Sequence, residues 1–352
     1  MANWLSSMQQ TFEYYVVDPG TWKDARRLDN VISCTINRDL EAETLGSATI
    51  DIVESLGECY IRVYLITIQN GVREKHPLGT FLVQTPASNF DGKVRNVSLD
   101  AYTPLIELKE DQPDLGYYIA KKENIMDYAY RLTREHARAP VAKTECSKDL
   151  FSNFVANTDD TWLSFIRDLA ANAKYKYSID ELGRILFSPD QDTASLQPMW
   201  TYSDDNSSIL YPEMSMDHDL YGMPNVVEVL YSDANEFYFT RVVNDDPNSP
   251  TSTVNRGRRI PHRVNNPSVV GDPTGDHIKV YANQLLRELS TIEYTITYTH
   301  GYCPVRLGDC VRLDYNRAQL KGVKAKVIKQ SIKCEPGCPV TETAVFTTKL
   351  WG

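Results

Sequence analysis

No run in this sequence is long and apolar enough to span a bilayer. The longest, Ile61 to Ile68, is broken by Arg62 and Thr67, whereas a spanning helix needs roughly 20 consecutive apolar residues. The opening Met1-Ala2-Asn3-Trp4-Leu5 has neither the basic patch nor the apolar block of a secretory signal. The product is therefore expected to be made in the cytoplasm of its host cell without a membrane anchor, leaving only by lysis or inside a particle. Excess positive charge is missing too: 37 Lys and Arg against 47 Asp and Glu leave a net charge of −10. That argues against tight nucleic-acid binding through phosphate contacts. An acidic surface can keep a chain soluble or line a passage through which DNA slides without sticking.

Chemistry-bearing motifs are lacking in the same way. The histidines at 76, 136, 218, 262, 277 and 300 share no metal-ligand spacing. There is no H-E-x-x-H, no Gly-rich phosphate loop and no G-x-S-x-G elbow. Asp217-His218-Asp219 reads as a solvated turn rather than a catalytic pair, and nothing ties two carboxylates to one cleft. No catalytic residue and no cofactor is assigned. The seven cysteines form no disulfide framework. Cys34, Cys59 and Cys146 are scattered. Cys303 and Cys310 flank the turn Arg306-Leu307-Gly308-Asp309, and Cys334 and Cys338 make a C-x3-C pair around Pro336-Gly337. Structural zinc usually takes closer paired knuckles, so these four read as independent thiols in neighbouring strands. A structural metal or a disulfide is the alternative reading; no metal is assigned.

What is present is an ordinary globular composition, 42% hydrophobic and 24% charged over 352 residues, with room for two or three domains. Tyrosine is abundant, 21 against 10 Phe, and its apolar ring with a polar tip suits half-buried strands and subunit contacts. Val31–Ile36, Ala48–Val53, Cys59–Ile68, Leu78–Val83 and Val94–Ala101 predict strands, with Asn70-Gly71 as a hairpin turn. Strands at this spacing read as a β-sandwich or barrel. The period then changes. Ile125, Tyr128, Ala129, Leu132 and His136 predict one helix, with Asn124 and Asp127 at its start. Trp162, Phe165, Ile166, Leu169, Ala170 and Ala173 predict another, with Asp159 and Asp160 at its positive end. A hairpin around Asp180-Glu181-Leu182-Gly183 follows.

Strands return after residue 199. Asn225–Tyr231 and Glu236–Val243 predict a hairpin around Ser232-Asp233-Ala234-Asn235. A long loop, 244–276, carries five prolines, and a helix is predicted over 277–290. Ile292–Thr299, Val311–Tyr315, Ala325–Ile332 and Thr343–Leu350 predict the closing strands. The expected fold is mainly β with an α+β insert: a barrel-like domain over 1–112, a small helix-helix-hairpin module over 113–198, and a second barrel-like domain over 199–352. The single basic cluster, Arg256, Arg258, Arg259 and Arg263 with His262, lies in the long loop. It reads as a solvated charge run or, given the chain's acidity, an intersubunit contact in preference to a DNA contact.

Gly308-Asp309-Cys310-Val311-Arg312-Leu313-Asp314-Tyr315, then Lys324-Ala325-Lys326-Val327-Ile328, then Ile332 to Gly337, resembles the closing segment of tailed-phage baseplate hub proteins, the late control gene D-like family. Trp162 to Ala173 with Tyr175 to Phe187 is similar to that family's middle module, and Leu78-Gly79-Thr80-Phe81-Leu82-Val83 to a strand of its first barrel. The resemblance implies two tail-tube-like barrels per subunit. It also implies a homotrimeric, pseudo-sixfold ring joining a hexameric tail tube or distal-tail ring to a trimeric central spike. A baseplate wedge or tape-measure protein would lie nearby, DNA would meet the chain only in transit through a lumen, and the product would reside in the virion. Because the chain stops at Trp351-Gly352, no fused lysozyme, peptidase or fibre is expected. Two rival readings are a hexameric distal-tail or tube-adaptor protein and a cell-wall-degrading or carbohydrate-binding tail enzyme.

Overall fold

The computed structural model describes residues 2–54, 56–90, 92, 95–189, 191, 195–205, 208–232, 237–267 and 275–351. Strands β1 (Gln9–Asp18), β2 (Lys23–Leu28), β3 (Val31–Asp39), β4 (Gly46–Ile52), β5 (Tyr60–Gln69), β6 (Val72–Phe90) and β7 (Arg95–Tyr102) come first. Next are α1 (Ile106–Glu110), β8 (Tyr118–Ile119), α2 (Ile125–His136), β9 (Phe154–Val155), α3 (Trp162–Asn172), β10 (Tyr175–Ile179) and β11 (Ile185–Pro189). Then follow β12 (Trp200–Ser203), β13 (Leu210–His218), β14 (Val226–Ser232), β15 (Phe237–Val243), α4 (Thr253–Arg256), β16 (Pro261–Asn265) and α5 (Gly275–Leu289). The chain closes with β17 (Thr291–Gly301), β18 (Cys310–Tyr315), β19 (Leu320–Lys333) and β20 (Pro339–Lys349). The fold is mainly β, and no described helix is long and apolar enough to cross a membrane.

Two compact units share the chain. One comprises residues 1–214 and 298–344; the other comprises 215–297 and 345–352. In the first unit β5 is the most enclosed strand, buried from Tyr60 to Thr67. The predicted Asn70-Gly71 turn joins it to β6, both residues at positive φ as a two-residue hairpin requires. β3, β4, β7, β6, β5, β1 and β2 neighbour one another in that order. β19 pairs with β3, Ile332 opposite Ile36. Strands from opposite ends of the chain therefore share one sheet and one core, in which Ile36, Ile50 and Leu99 meet Ile332 and Val340. The strand order runs as an open path from β13 to β2, with β12 and β18 alongside, and no closed barrel is found among the described residues.

The helix-helix-hairpin segment has its own core. Leu132 of α2 packs with Phe165, Ile166 and Leu169 of α3 and with Tyr177 and Phe187 of the β10–β11 hairpin. Asn124 caps α2 as predicted, accepting from the Asp127 amide at 3.1 Å. α3 starts after Thr161, which forms a reciprocal capping box with Ser164. Asp160 is one step removed, accepting from the Ser164 hydroxyl at 3.3 Å. Arg62, which interrupts the apolar run of β5, is buried and reaches the hairpin turn. Its guanidinium donates to the Leu182 carbonyl at 3.1 Å and pairs with Asp24 at 2.9 Å.

In the second unit β14 lies between β15 and β16, antiparallel to the first and parallel to the second. The predicted hairpin is formed, Ser232 opposite Phe237, while the turn residues 233–236 lie outside the described residues. The 244–276 segment differs from the expected loop. It holds α4, capped by Ser252, and β16, because an Asn- and Ser-rich stretch can satisfy its own backbone. Asn244 Nδ2 donates to the Ser249 hydroxyl at 2.8 Å, and Asn225, from outside the segment, donates to the Thr251 carbonyl at 3.1 Å. Residues 268–274 of that segment lie outside the described residues.

Candidate functional site

Alternation along β14 divides the second unit's sheet into two faces. Val227 and Val229 point one way and pack with Ile278, Ala282 and Leu286 of α5. Glu228 points the other way, and the register sets Arg241 of β15 and Arg263 of β16 on either side of it. Arg259 joins them from the segment after α4. The Arg241 and Arg263 Nε atoms lie 2.9 Å from Glu228 carboxylate oxygens, and an Arg259 Nη lies at 3.2 Å. Hydrogen bonds from Arg263 and Arg241 hold the Glu228 carboxyl below the usual carboxylate range. Phe237 and Phe239 share this outer face by the same alternation, 69% and 53% exposed. The Arg241 guanidinium carbon lies 5.6 Å from the Phe239 ring centroid.

The predicted basic cluster is thus partly assembled. Arg259 and Arg263 converge. Arg256 turns inward, donating to the Met223 and Leu220 carbonyls at 2.9 and 3.0 Å. Arg258 is exposed, its own carbonyl accepting from the Asn225 amide nitrogen at 3.0 Å. Glu228, Arg241 and the two phenylalanines were not singled out from sequence. The signal that could have found them was the two-residue period of Phe237-Tyr238-Phe239-Thr240-Arg241 once β15 is paired with β14.

The late cysteines are spread through the first unit as free thiols. The Cys334 amide donates to the Cys34 carbonyl at 2.9 Å, and Cys34 and Cys338 are buried in the main core. A hydrogen bond with Cys334, then burial, pushes the Cys34 thiol up; burial does the same for Cys338 and Cys310. Cys303 lies with another set of neighbours. Among the described residues no group of three or more His, Cys, Asp or Glu side chains is arranged to hold a metal.

Cys303 belongs to a polar cluster that sequence spacing gave no hint of. His300 and Glu342 are both wholly buried, Nε2 to Oε1 3.3 Å apart. The Tyr298 hydroxyl and Gln330 Nε2 donate to the same carboxylate at 2.8 and 2.7 Å. Tyr202 OH stands 3.0 Å from His300 Nε2 and 3.2 Å from Cys303 Sγ, while His300 Nδ1 contacts the Gly301 carbonyl at 2.6 Å. A thiol, an imidazole and a carboxylate together suggest nucleophilic chemistry, but a nucleophile must meet its substrate. Here every group is enclosed. The cluster is a saturated internal network in which two buried charges satisfy one another.

No family model matches the sequence, and no curated protein matches it. Solved structures do. The tail protein from Neisseria meningitidis MC58 superposes with a TM-score of 0.61 at 15% identity, over 96% of this chain and 97% of that one. The 43 kDa tail protein of prophage MuSo2 from Shewanella oneidensis gives 0.60 at 11% identity, over 95% and 98%. This is a tail-protein fold. The likeness runs nearly the length of both partners.

Proposed function

We propose that the chain is a non-enzymatic structural hub of a phage or phage-like tail tip or baseplate. The observation that carries this reading is the end-to-end likeness to the Neisseria meningitidis tail protein, joined to hub-like motifs that occur along the chain in the family's order. In this reading residues 1–112 and 199–352 are the tube-like β-barrel domains, and 113–198 the module between them. Three subunits offer six such domains to a hexameric tail tube or distal-tail ring. A trimeric spike sits on the other side, a baseplate wedge or tape-measure protein lies nearby, and DNA passes through the lumen. The protein then resides in the virion. The enclosure of Cys303, His300 and Glu342 supports a role without catalysis, since no substrate reaches them. Arg258, Arg259 and Arg263 lie at the subunit contact, with Arg256 bracing their segment.

Native mass spectrometry of the purified full chain tests the stoichiometry. Three copies are expected; six would replace the trimer with the hexameric adaptor. Gold-labelled antibody on intact particles is expected at the tail tip, and label confined to the capsid would overturn the assignment. Clearing on a peptidoglycan zymogram, abolished by a single carboxylate substitution, would overturn the non-enzymatic reading.

A further inference from the structure

Among the described residues the β15–β14–β16 sheet is covered on one face only. α5 closes the inner face, and the outer one presents Phe237 and Phe239 to water beside Arg241, Arg259 and Arg263. Two large apolar side chains on an edge strand are a cost that no described residue of the chain offsets. Glu228 orients the guanidinium groups but cancels only one of their three charges, leaving this cluster of described residues at +2 (three Arg less one Glu) on a chain of net charge −10. Guanidinium groups already held in place lose little freedom on meeting a further carboxylate.

The opposite chemistry occurs within the same unit. Asp217, Asp219 and Glu293 are exposed around a groove that they form with His218 and Met223, and no Lys or Arg lines it among the described residues. Met216 and Tyr221 stand exposed on the same segment, 40% and 93%. Identical subunits close a ring through heterologous contacts, in which two different and complementary patches of one chain meet. A face of Arg and Phe and a groove of Asp and Glu beside Met and Tyr form such a pair.

We infer that the Arg–Phe face of one copy docks onto the acidic groove of the next copy of this chain. The inference rests on the hub reading for the closed ring and adds the two surfaces that close it. Phe237 and Phe239 meet the apolar side chains beside the groove, and the arginines meet its carboxylates. Single-stranded nucleic acid can also use Arg and Phe, but the chain's acidity opposes it.

Sedimentation velocity and native mass spectrometry of the full chain test this. Wild type is expected to form a closed oligomer. R241E/R263E and D217K/D219K are each expected to shift to monomer, with association weakened at least tenfold, and all four substitutions combined to restore assembly through the reversed charges. F237S/F239S leaves the Glu228 cluster intact and is also expected to be monomeric, with unchanged circular dichroism. It decides the matter if R241E/R263E melts early. Wild-type assembly that survives both face variants overturns the docking surfaces and leaves the hub reading standing. A six-copy ring dissolved by R241E/R263E keeps the surfaces and overturns the trimer. A wild type monomeric at every concentration overturns both. Binding of a single-stranded oligonucleotide that F237S/F239S abolishes, with assembly untouched, replaces the inference with a nucleic-acid platform.

Discussion

At the scale of single residues the sharpest consequences come from His300 and Glu342. Burial alone would lower the His300 pKa, but hydrogen bonds with Cys303 and Glu342 outweigh it and push it up to about 10. Burial would raise Glu342, and hydrogen bonds led by His300 outweigh that and lower it. A raised folded pKa contributes stability that is complete below the unfolded value and is lost as pH rises through the folded one. Wild-type melting temperature is therefore expected to fall between about pH 6.5 and 8, before free thiols and phenols titrate. H300Q is expected to flatten that slope; an unchanged slope in thermal melts would refute the charged pair. Glu342→Gln leaves a buried cation without its partner and is expected to cost about 3–5 kcal/mol in urea unfolding. Neither residue stood out in the sequence, since they are 42 positions apart and neither spacing nor composition links them. Strand pairing alone brings them together.

At the scale of elements, local signals were mostly legible. Helices α2 and α3, the β10–β11 hairpin and the Asn70-Gly71 turn follow from periodicity and turn chemistry, which act over a few residues. The α3 cap, Thr161 with Ser164, was not read from the sequence, where Asp159 and Asp160 were placed only at the helix's positive end. Thr161→Ala is expected to cost about 1 kcal/mol, read as a lower denaturation midpoint. Gly183 is more demanding. It sits at φ +77°, and a Cβ there would lie 2.7 Å from the Thr80 Cβ. Gly183→Ala is expected to cost about 1–3 kcal/mol and to loosen the turn that Arg62 holds; equal stability to wild type would contradict this. Strands β1 and β2 escaped the sequence reading, as did β16. β1 and β2 mix charged and apolar residues, and β16 is mostly exposed, so their periods are weak.

At the scale of the molecule, the two units carry unequal cores. Among the described residues, the sheet core of the first unit collects 21 buried residues and its helical insert 19, whereas the core around α5 has five. Stability is not uniform when buried apolar area is so unequally shared. In hydrogen exchange the amides of Ile278 to Leu286 are expected to exchange faster than those of Ile50 and Leu99. The reverse order would mean that the second unit gains its order from elsewhere. If subunits meet through Arg241 and Arg263, raising ionic strength is expected to weaken association, because exposed charges are screened beyond about 8 Å at 0.15 M salt.

By itself the sequence determined what depends on near neighbours and on totals. These were a mainly β chain with a helix-helix-hairpin insert, the absence of a membrane-spanning run, and an acidic net charge. It also located part of the basic cluster, Arg259 and Arg263. Only the tertiary structure decided which residues far apart in the chain meet: β19 against β3, His300 against Glu342, and three arginines against Glu228. Those pairings depend on register and sheet order, which are set by the free energy of burying whole faces at once. No window of a few residues contains that information.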